Sequence, residues 1–250
     1  MTELVEITDA DGVRTVRMNR PDKKNALTGV MYCAMAEAIE NASDDDSIGA
    51  VLIAGVPGAF SAGNDMKDFM AAASGTGTLS NDIMRLLHAL PRSEKPLVAA
   101  VQGLAIGIGT TMLFHCDYVV VGEDARLATP FISLGILPEA GSTLMGPRQI
   151  GYQRAFALLA MGRPLDAKGA KEAGIANEVV PPNEVDAAAL KAAREIAALP
   201  REAMAIARHL MRPSAEEAVA RIDREAAMFR DRLRSPEAQN AFAAFLNRAR

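Results

Sequence analysis

Thiols and imidazoles are scarce in this chain: its 250 residues carry two cysteines and three histidines. Cys33 and Cys116 match no disulfide framework and no metal-ligand spacing, which fits a reducing compartment and two small buried apolar residues. His88, His115 and His209 lie far apart without ligand spacing, so they read as helix-surface or core histidines, and no metal is expected. The chain lacks a Gly-Lys-Ser/Thr phosphate loop and any Ser/His/Asp or Cys/His arrangement of recognisable spacing. Gly107 and Gly109 could open a dinucleotide loop, but the third glycine of that motif falls at Met112. A net charge of −4 gives no reason to expect nucleic acid or an anionic membrane as partner. The opening Met1-Thr-Glu-Leu-Val-Glu6 has acids where a signal peptide needs a basic and then an apolar stretch, so a cytoplasmic location is expected.

One long uncharged run is present. Between Pro96 and Cys116 there is no acid, lysine or arginine, a length that meets the criterion for a membrane span. Pro96, Gln102, three glycines and Thr110-Thr111 interrupt it, so a buried strand, a Gly turn and a buried helix account for it better. Half the residues are hydrophobic and 23% charged, ordinary values for a globular protein with a substantial core.

The hydrophobic pattern alternates between strand and helix periods. Leu4–Thr8 and Val13–Asn19 read as a hairpin about Asp9-Ala-Asp-Gly12. Thr28 caps an expected helix with Met31, Met35, Ile39 and Ala42 on one face. Ala50–Ala54, Leu97–Val101, Tyr118–Val121 and Arg126–Ala128 read as strands, and Ile83–Leu90 as a short helix. Residues 71–80 are expected to form a mobile loop, and Thr110–His115 to start a helix. Asp166 and Gly174 bracket a short helix, Asn183 opens another, and Ser214-Ala-Glu-Glu217 is a capping box. Val219, Ile222, Ala226, Phe229 and Leu233 share a stripe in an all-helical end. The fold class is therefore α/β, a strand-turn-helix core with a C-terminal helical module.

Three segments carry the chemistry. Phe131-Ile-Ser-Leu-Gly-Ile-Leu-Pro-Glu139-Ala-Gly-Ser-Thr143 sets one carboxylate in a tight Pro/Gly loop before a helix. Ala59-Phe-Ser-Ala-Gly-Asn-Asp65 and Gly103-Leu-Ala-Ile-Gly-Ile-Gly109 each follow a buried strand and can aim backbone N–H groups at an oxygen. Read in order, the pieces resemble the crotonase superfamily of acyl-CoA hydratases and isomerases. The resemblance rests on Asn19-Arg-Pro…Asn25-Ala-Leu27, Ala59–Lys67, Pro96–Gly103 with Gly107-Ile-Gly109 and Cys116-Asp117, Gly162–Lys168 and Gly174–Pro181.

That resemblance implies a ββα spiral core over residues 1–195 with an acyl-CoA site, and an oligomerisation or lid module over 196–250. It implies backbone N–H groups of Ala62 and Ile108 as the oxyanion hole, with Ile108 standing where many relatives have glycine and a positive φ disfavoured there. It implies coenzyme A passing near Lys24, Asn25 and Ala26 and along Ser61, Gly63, Asn64, Asp65, Gly107 and Phe131. Lys23 and Lys24 read equally well as a solvated turn. No separate cofactor is expected, since coenzyme A belongs to the substrate, and relatives assemble as trimers or dimers of trimers. Phe229, Phe242 and Phe245 suit such an interface or an internal core alike.

The departures from the resemblance select a reaction. The two glutamates that hold water in the hydratases fall at Thr111 and Phe131, and neither side chain is an acid or base near neutral pH. Glu139 matches instead the acid of the peroxisomal-type Δ3,Δ2-enoyl-CoA isomerases, through Thr129-Pro-Phe131, Leu134-Gly135 and Pro138-Glu139. The expected activity is transfer of a 3,4 double bond to the 2,3 position by one acid/base, Glu139. The other role open to Glu139 is as a helix N-terminal acid satisfying orphan N–H groups. Asp65 is expected to brace the oxyanion loop through backbone N–H groups. Competing readings are a ring-modified acyl-CoA isomerase or dehalogenase-like relative, a hydratase with unusual acids, and a non-catalytic acyl-CoA-binding subunit.

Overall fold

A computed structural model describes residues 4–66 and 81–248, with side chains through 244. The expected loop over 71–80, Lys67 and the Phe245 side chain lie outside them. Ten strands are used below: β1 Val5–Ala10, β2 Val13–Met18, β3 Ala50–Ala54, β4 Ala59–Ser61, β5 Leu97–Val101, β6 Leu104–Ile106, β7 Tyr118–Gly122, β8 Arg126–Ala128, β9 Leu165–Asp166 and β10 Glu178–Val180. The helices are α1 Gly29–Ser43, α2 Asn81–Arg92, α3 Ile108–Thr111, α4 Ser142–Ile150, α5 Tyr152–Ala155, α6 Ala167–Ala173, α7 Val185–Ala197, α8 Arg201–Met211, α9 Ala215–Leu233 and α10 Pro236–Arg248.

The opening hairpin turns on two residues rather than four. Asp11 and Gly12 have φ of 53° and 75°, the positive values that let a two-residue turn follow the strands' twist. From β3 to β8 the chain alternates between two sheets. One has the order β1-β2-β3-β5-β7-β10, the other β4-β6-β8-β9. Apart from the antiparallel β1–β2 and β8–β9, the pairs are parallel. This is the ββα spiral that the resemblance implies, with helices at the C-terminal end.

The central strands read as unbroken apolar runs because both faces are covered. Ala50, Leu52, Ala54, Val98, Ala100 and Val120 face Val185, Ala189 and Ala193 of α7. Val51, Ile53, Leu97, Ala99 and Val101 join the larger core with Met31, Met35 and Ile39 of α1. Thr28 caps α1, accepting from the Met31 N–H, and Asp166 and Gly174 bound α6.

Within 96–116 the expected Gly turn contains a second strand, β6, and the helix begins at Ile108 rather than Thr110. Gly103 is obligatory at the crossing, since a Cβ there would lie 2.0 Å from the Gly58 carbonyl oxygen. No helix of the described residues is long and apolar enough to cross a membrane. The helix expected to open at Asn183 starts at Val185, after a 3₁₀ turn over Pro182–Glu184.

The chain beyond 196 is bonded to what precedes it. Arg208 of α8 donates to Asp117 at 2.8 Å, and Arg212 donates to the His115 carbonyl at 3.0 Å. Phe229, Leu233 and Phe242 pack inside the chain against Phe131 and Ile136.

Candidate active site

Glu139 stands at the end of the apolar run Ile136-Leu137-Pro138 and is 8% exposed. Its Oε1 lies 2.6 Å from Thr111 Oγ1 at the C-terminal end of α3. Burial pushes the carboxyl up to about 8; the Thr111 hydrogen bond pulls against this and the Glu225 charge adds to it. The group is thus poised between acid and base near neutral pH, as general acid/base chemistry requires.

The role of helix N-terminal acid belongs to another residue. Glu225, buried on α9, accepts from the N–H groups of Gly141 and Thr143 at 2.7 and 3.0 Å, and from Thr143 Oγ1 at 2.5 Å. It satisfies donors at the start of α4, which leaves Glu139 free of that duty. Sequence reading missed Glu225, although a signal was there. An acid between Ile222 and Ala226 interrupts an apolar stripe, and a buried acid needs partners.

His115, expected to be a helix-surface or core histidine, lies in the core. It is fully buried, and its Nε2–H donates to the Ala140 carbonyl at 2.6 Å, the only sense a carbonyl acceptor permits. Burial lowers its pKa to about 4, so the ring is neutral at pH 7. The bond helps hold Ala140 at a φ of 61°, a left-handed conformation costing an L-residue about 1–2 kcal/mol, directly after Glu139.

The two backbone loops lie side by side, since a Cβ on Gly63 would approach the Ile106 carbonyl to 3.0 Å. In the second loop Gly107 has φ 57° and ψ −119°, and α3 starts immediately after it. The positive φ therefore falls on Gly107, and Ile108 takes helical geometry without strain. Among the described residues the Ile108 N–H has no protein acceptor, as expected at the first helical position.

The first loop corrects the expectation for Ala62. Its N–H donates to the Lys24 carbonyl at 2.9 Å and is not free for a ligand. Leu27 bridges to Asn64 by bonding its flanks, Leu27 N–H to Gly63 O at 2.8 Å and Asp65 N–H to Leu27 O at 2.9 Å. Backbone alternation then turns the Asn64 N–H away from Leu27, and it has no protein acceptor among the described residues. The loop's open donor is Asn64.

Several residues expected along coenzyme A brace the loop. The buried Asn25 side chain accepts from Arg20 N–H at 2.8 Å and donates to the Ala59 and Phe60 carbonyls at 3.0 and 3.1 Å. Ser61 Oγ, also buried, donates to the Asn25 carbonyl and accepts from Gly63 N–H. Their side chains are committed to protein partners. Asp65 pairs with Arg20 Nη1 at 2.8 Å, a partner not anticipated, and Arg20 also donates to the Ala26 carbonyl. The Asn64 side chain accepts from Tyr32 Oη at 2.5 Å. Lys24 is exposed beside this clasp with φ 50°. Phe131 is buried, and its ring edge lies 3.9 Å from where a Gly107 Cβ would sit. No group of three or more potential metal ligands occurs among the described residues.

A two-sheet spiral with parallel strands, two loops with open N–H groups and a buried carboxyl beside a hydroxyl define the class to which sequence comparison also assigns the chain. Residues 8–250 match the Enoyl-CoA hydratase/isomerase family. The chain is 33% identical over 247 residues to enoyl-CoA delta isomerase 2 of Rattus norvegicus, covering 97% of itself and 63% of that protein. It is 34% identical over 219 residues to 2,3-dehydroadipyl-CoA hydratase of Escherichia coli, covering 88% of itself and 85% of that protein. The solved structure of Pseudomonas aeruginosa OdaA superposes with a TM-score of 0.92 at 41% identity, over 98% of this chain and 99% of that one. The chain belongs to the enoyl-CoA hydratase/isomerase family, within the crotonase superfamily. An isomerase and a hydratase stand at nearly equal identity, so the reaction must be argued from the site.

Proposed function

We propose that the protein is an enoyl-CoA isomerase that moves a 3,4 double bond into conjugation with the thioester. The observation that carries this reading is the buried carboxyl of Glu139, pushed up to about 8 by burial, where Thr111 and Phe131 occupy the hydratase acid positions. The other buried carboxyl among the described residues, Glu225, is committed to Gly141 and Thr143. Glu139 removes a proton from C2, which both the thioester and the alkene acidify. The charge passes to the thioester oxygen, held by the N–H groups of Ile108 and Asn64. The same carboxyl returns the proton to C4, so no water is consumed. Loss of one such donor in a well-studied protease costs about 2.7–4 kcal/mol, which sets the scale for each N–H here. Phe131, Ile136 and Leu137 belong to one apolar cluster in the segment leading to Glu139, and an apolar surround strengthens the oxyanion bonds and disfavours hydration.

The test follows the absorbance of conjugated 2-enoyl-CoA formed from a 3-enoyl-CoA, with Glu139→Gln as control and a 2-enoyl-CoA to detect hydration. Conjugated product lost in the variant supports the reading. Hydration that survives the substitution, without isomerisation, overturns it and moves the acid elsewhere.

A further inference from the structure

The Thr111 hydroxyl has one proton and two acceptors. Its oxygen lies 2.6 Å from Glu139 Oε1 and 3.3 Å from the Gly107 carbonyl oxygen. A protonated Glu139 donates to Thr111 Oγ1, which releases the hydroxyl proton to Gly107. An ionised Glu139 can only accept, and the shorter, charge-assisted bond then draws that proton back.

The Gly107 carbonyl and the Ile108 N–H belong to one planar peptide group. A further bond to that carbonyl, which already accepts from the N–H groups of Thr110 and Thr111 at 2.9 Å each, polarises the group and strengthens its N–H as a donor. We propose that Thr111 is a positioning residue that couples the protonation state of Glu139 to the strength of the Ile108 N–H donor. The coupling rests on the acid/base and oxyanion roles proposed for Glu139 and Ile108.

Its timing suits the reaction. When the C2 proton moves to Glu139, the electron pair of the broken C–H bond enters the dienolate and charge grows on the thioester oxygen. Thr111 rotates to Gly107 at that step, and the Ile108 N–H becomes the better donor as the oxyanion forms. Delivery of the proton from Glu139 to C4 reverses the rotation. No bond to Thr111 is made or broken.

The other groups facing Glu139 leave this role to Thr111. From α9 comes the Glu225 carboxylate, bonded to Gly141 and Thr143. From the turn after α3 comes neutral His115, bonded to Ala140. Among the described residues, His115 bonds to Ala140 and Glu225 to Gly141 and Thr143, neither to Gly107.

The experiment compares the parent with Thr111→Val and Thr111→Ser. It records the pH profile of isomerisation, the carbon-13 titration of the Glu139 carboxyl (assigned with Glu139→Gln), and the thioester carbonyl stretch of bound hexanoyl-CoA. Removing the hydroxyl raises the Glu139 pKa, so the ascending limb moves to higher pH. Turnover near neutral pH falls roughly tenfold for each unit of that movement, with KM changing less. The carbonyl stretch depends on pH in the parent and in Thr111→Ser, and loses that dependence in Thr111→Val. A titration and a stretch in Thr111→Val equal to the parent's overturn the coupling, whether or not activity is retained. A parent that fails to isomerise but shows both spectroscopic responses keeps the coupling and removes the reaction proposed above. Thr111→Ala replaces Thr111→Val in the same comparison if the valine variant does not fold.

Discussion

At the scale of single residues, Glu139 ties function and stability to pH with opposite signs. A carboxyl whose folded pKa lies near 8, above the ordinary 4.5, binds its proton more tightly in the folded state. Stability is then undiminished below about pH 4.5 and falls as pH rises towards 8, each tenfold change in proton affinity being worth about 1.4 kcal/mol. Activity runs the other way, because the base must be ionised to remove the C2 proton. Thermal unfolding of Glu139→Gln is expected to match the parent near pH 4.5 and to exceed it above pH 8. Isomerase activity of the parent should rise through a midpoint near 8 over the same range. A parent unfolding curve no more pH-sensitive than the variant's would show that Glu139 is not buried as described.

Elements decide where that residue can act. The stretch from Pro138 to Thr143 is held by Glu225 on α9, 82 residues on from Thr143. Replacing Glu225 with Gln keeps the shape but removes the charge that pushes the Glu139 carboxyl up, so the activity midpoint should move to lower pH. That is opposite in sign to the change expected for Thr111→Val. Glu225→Ala also strands the N–H groups of Gly141 and Thr143, a loss of about 1–3 kcal/mol, readable as a lower urea midpoint.

The same contrast marks what was legible beforehand. Local rules placed Thr28, Asp166, Gly174 and Ser214, because caps and stops depend on neighbours within one turn. Buried strands of five apolar residues announced themselves. The three-residue strands β6 and β10 did not, since too few residues carry a period, although Arg126–Ala128 of the same length was read. The oxyanion loop was visible as a glycine pattern, but its open donor was not. Which N–H is open depends on Lys24 and Leu27 pairing with Ala62, Gly63 and Asp65 across the fold. Asn25 belongs with these. Two of its three bonds reach residues 34 and 35 positions away, so Asn25→Ala should cost about 2–4 kcal/mol and disorder the Asn64 loop, seen as lower stability with lost turnover.

Over the whole molecule, the proposed site draws on the spiral and on the C-terminal helices. Thr111 and Ile108 come from the spiral, Glu139 from the connection into α4, and Glu225, Phe229 and Phe242 from α9 and α10. Phe131 touches both parts, as it nears Gly107 on one side and packs with Phe229 and Phe242 on the other. The C-terminal helices therefore hold the apolar wall beside the carboxyl as well as covering a core. Phe242→Ala, far along the chain from every reacting group, removes a buried ring from that cluster and should cost about 3–5 kcal/mol. Because Phe131 loses its backing, turnover should fall while Glu139 keeps its partner Thr111, and a small apolar molecule that fills the cavity should restore part of both. Circular dichroism in urea, with a turnover assay at each denaturant concentration, separates the cases. Coincident loss of helix and activity in one transition shifted to lower urea is the expected result. Activity that persists after the C-terminal helices have melted would show that the spiral alone builds the site.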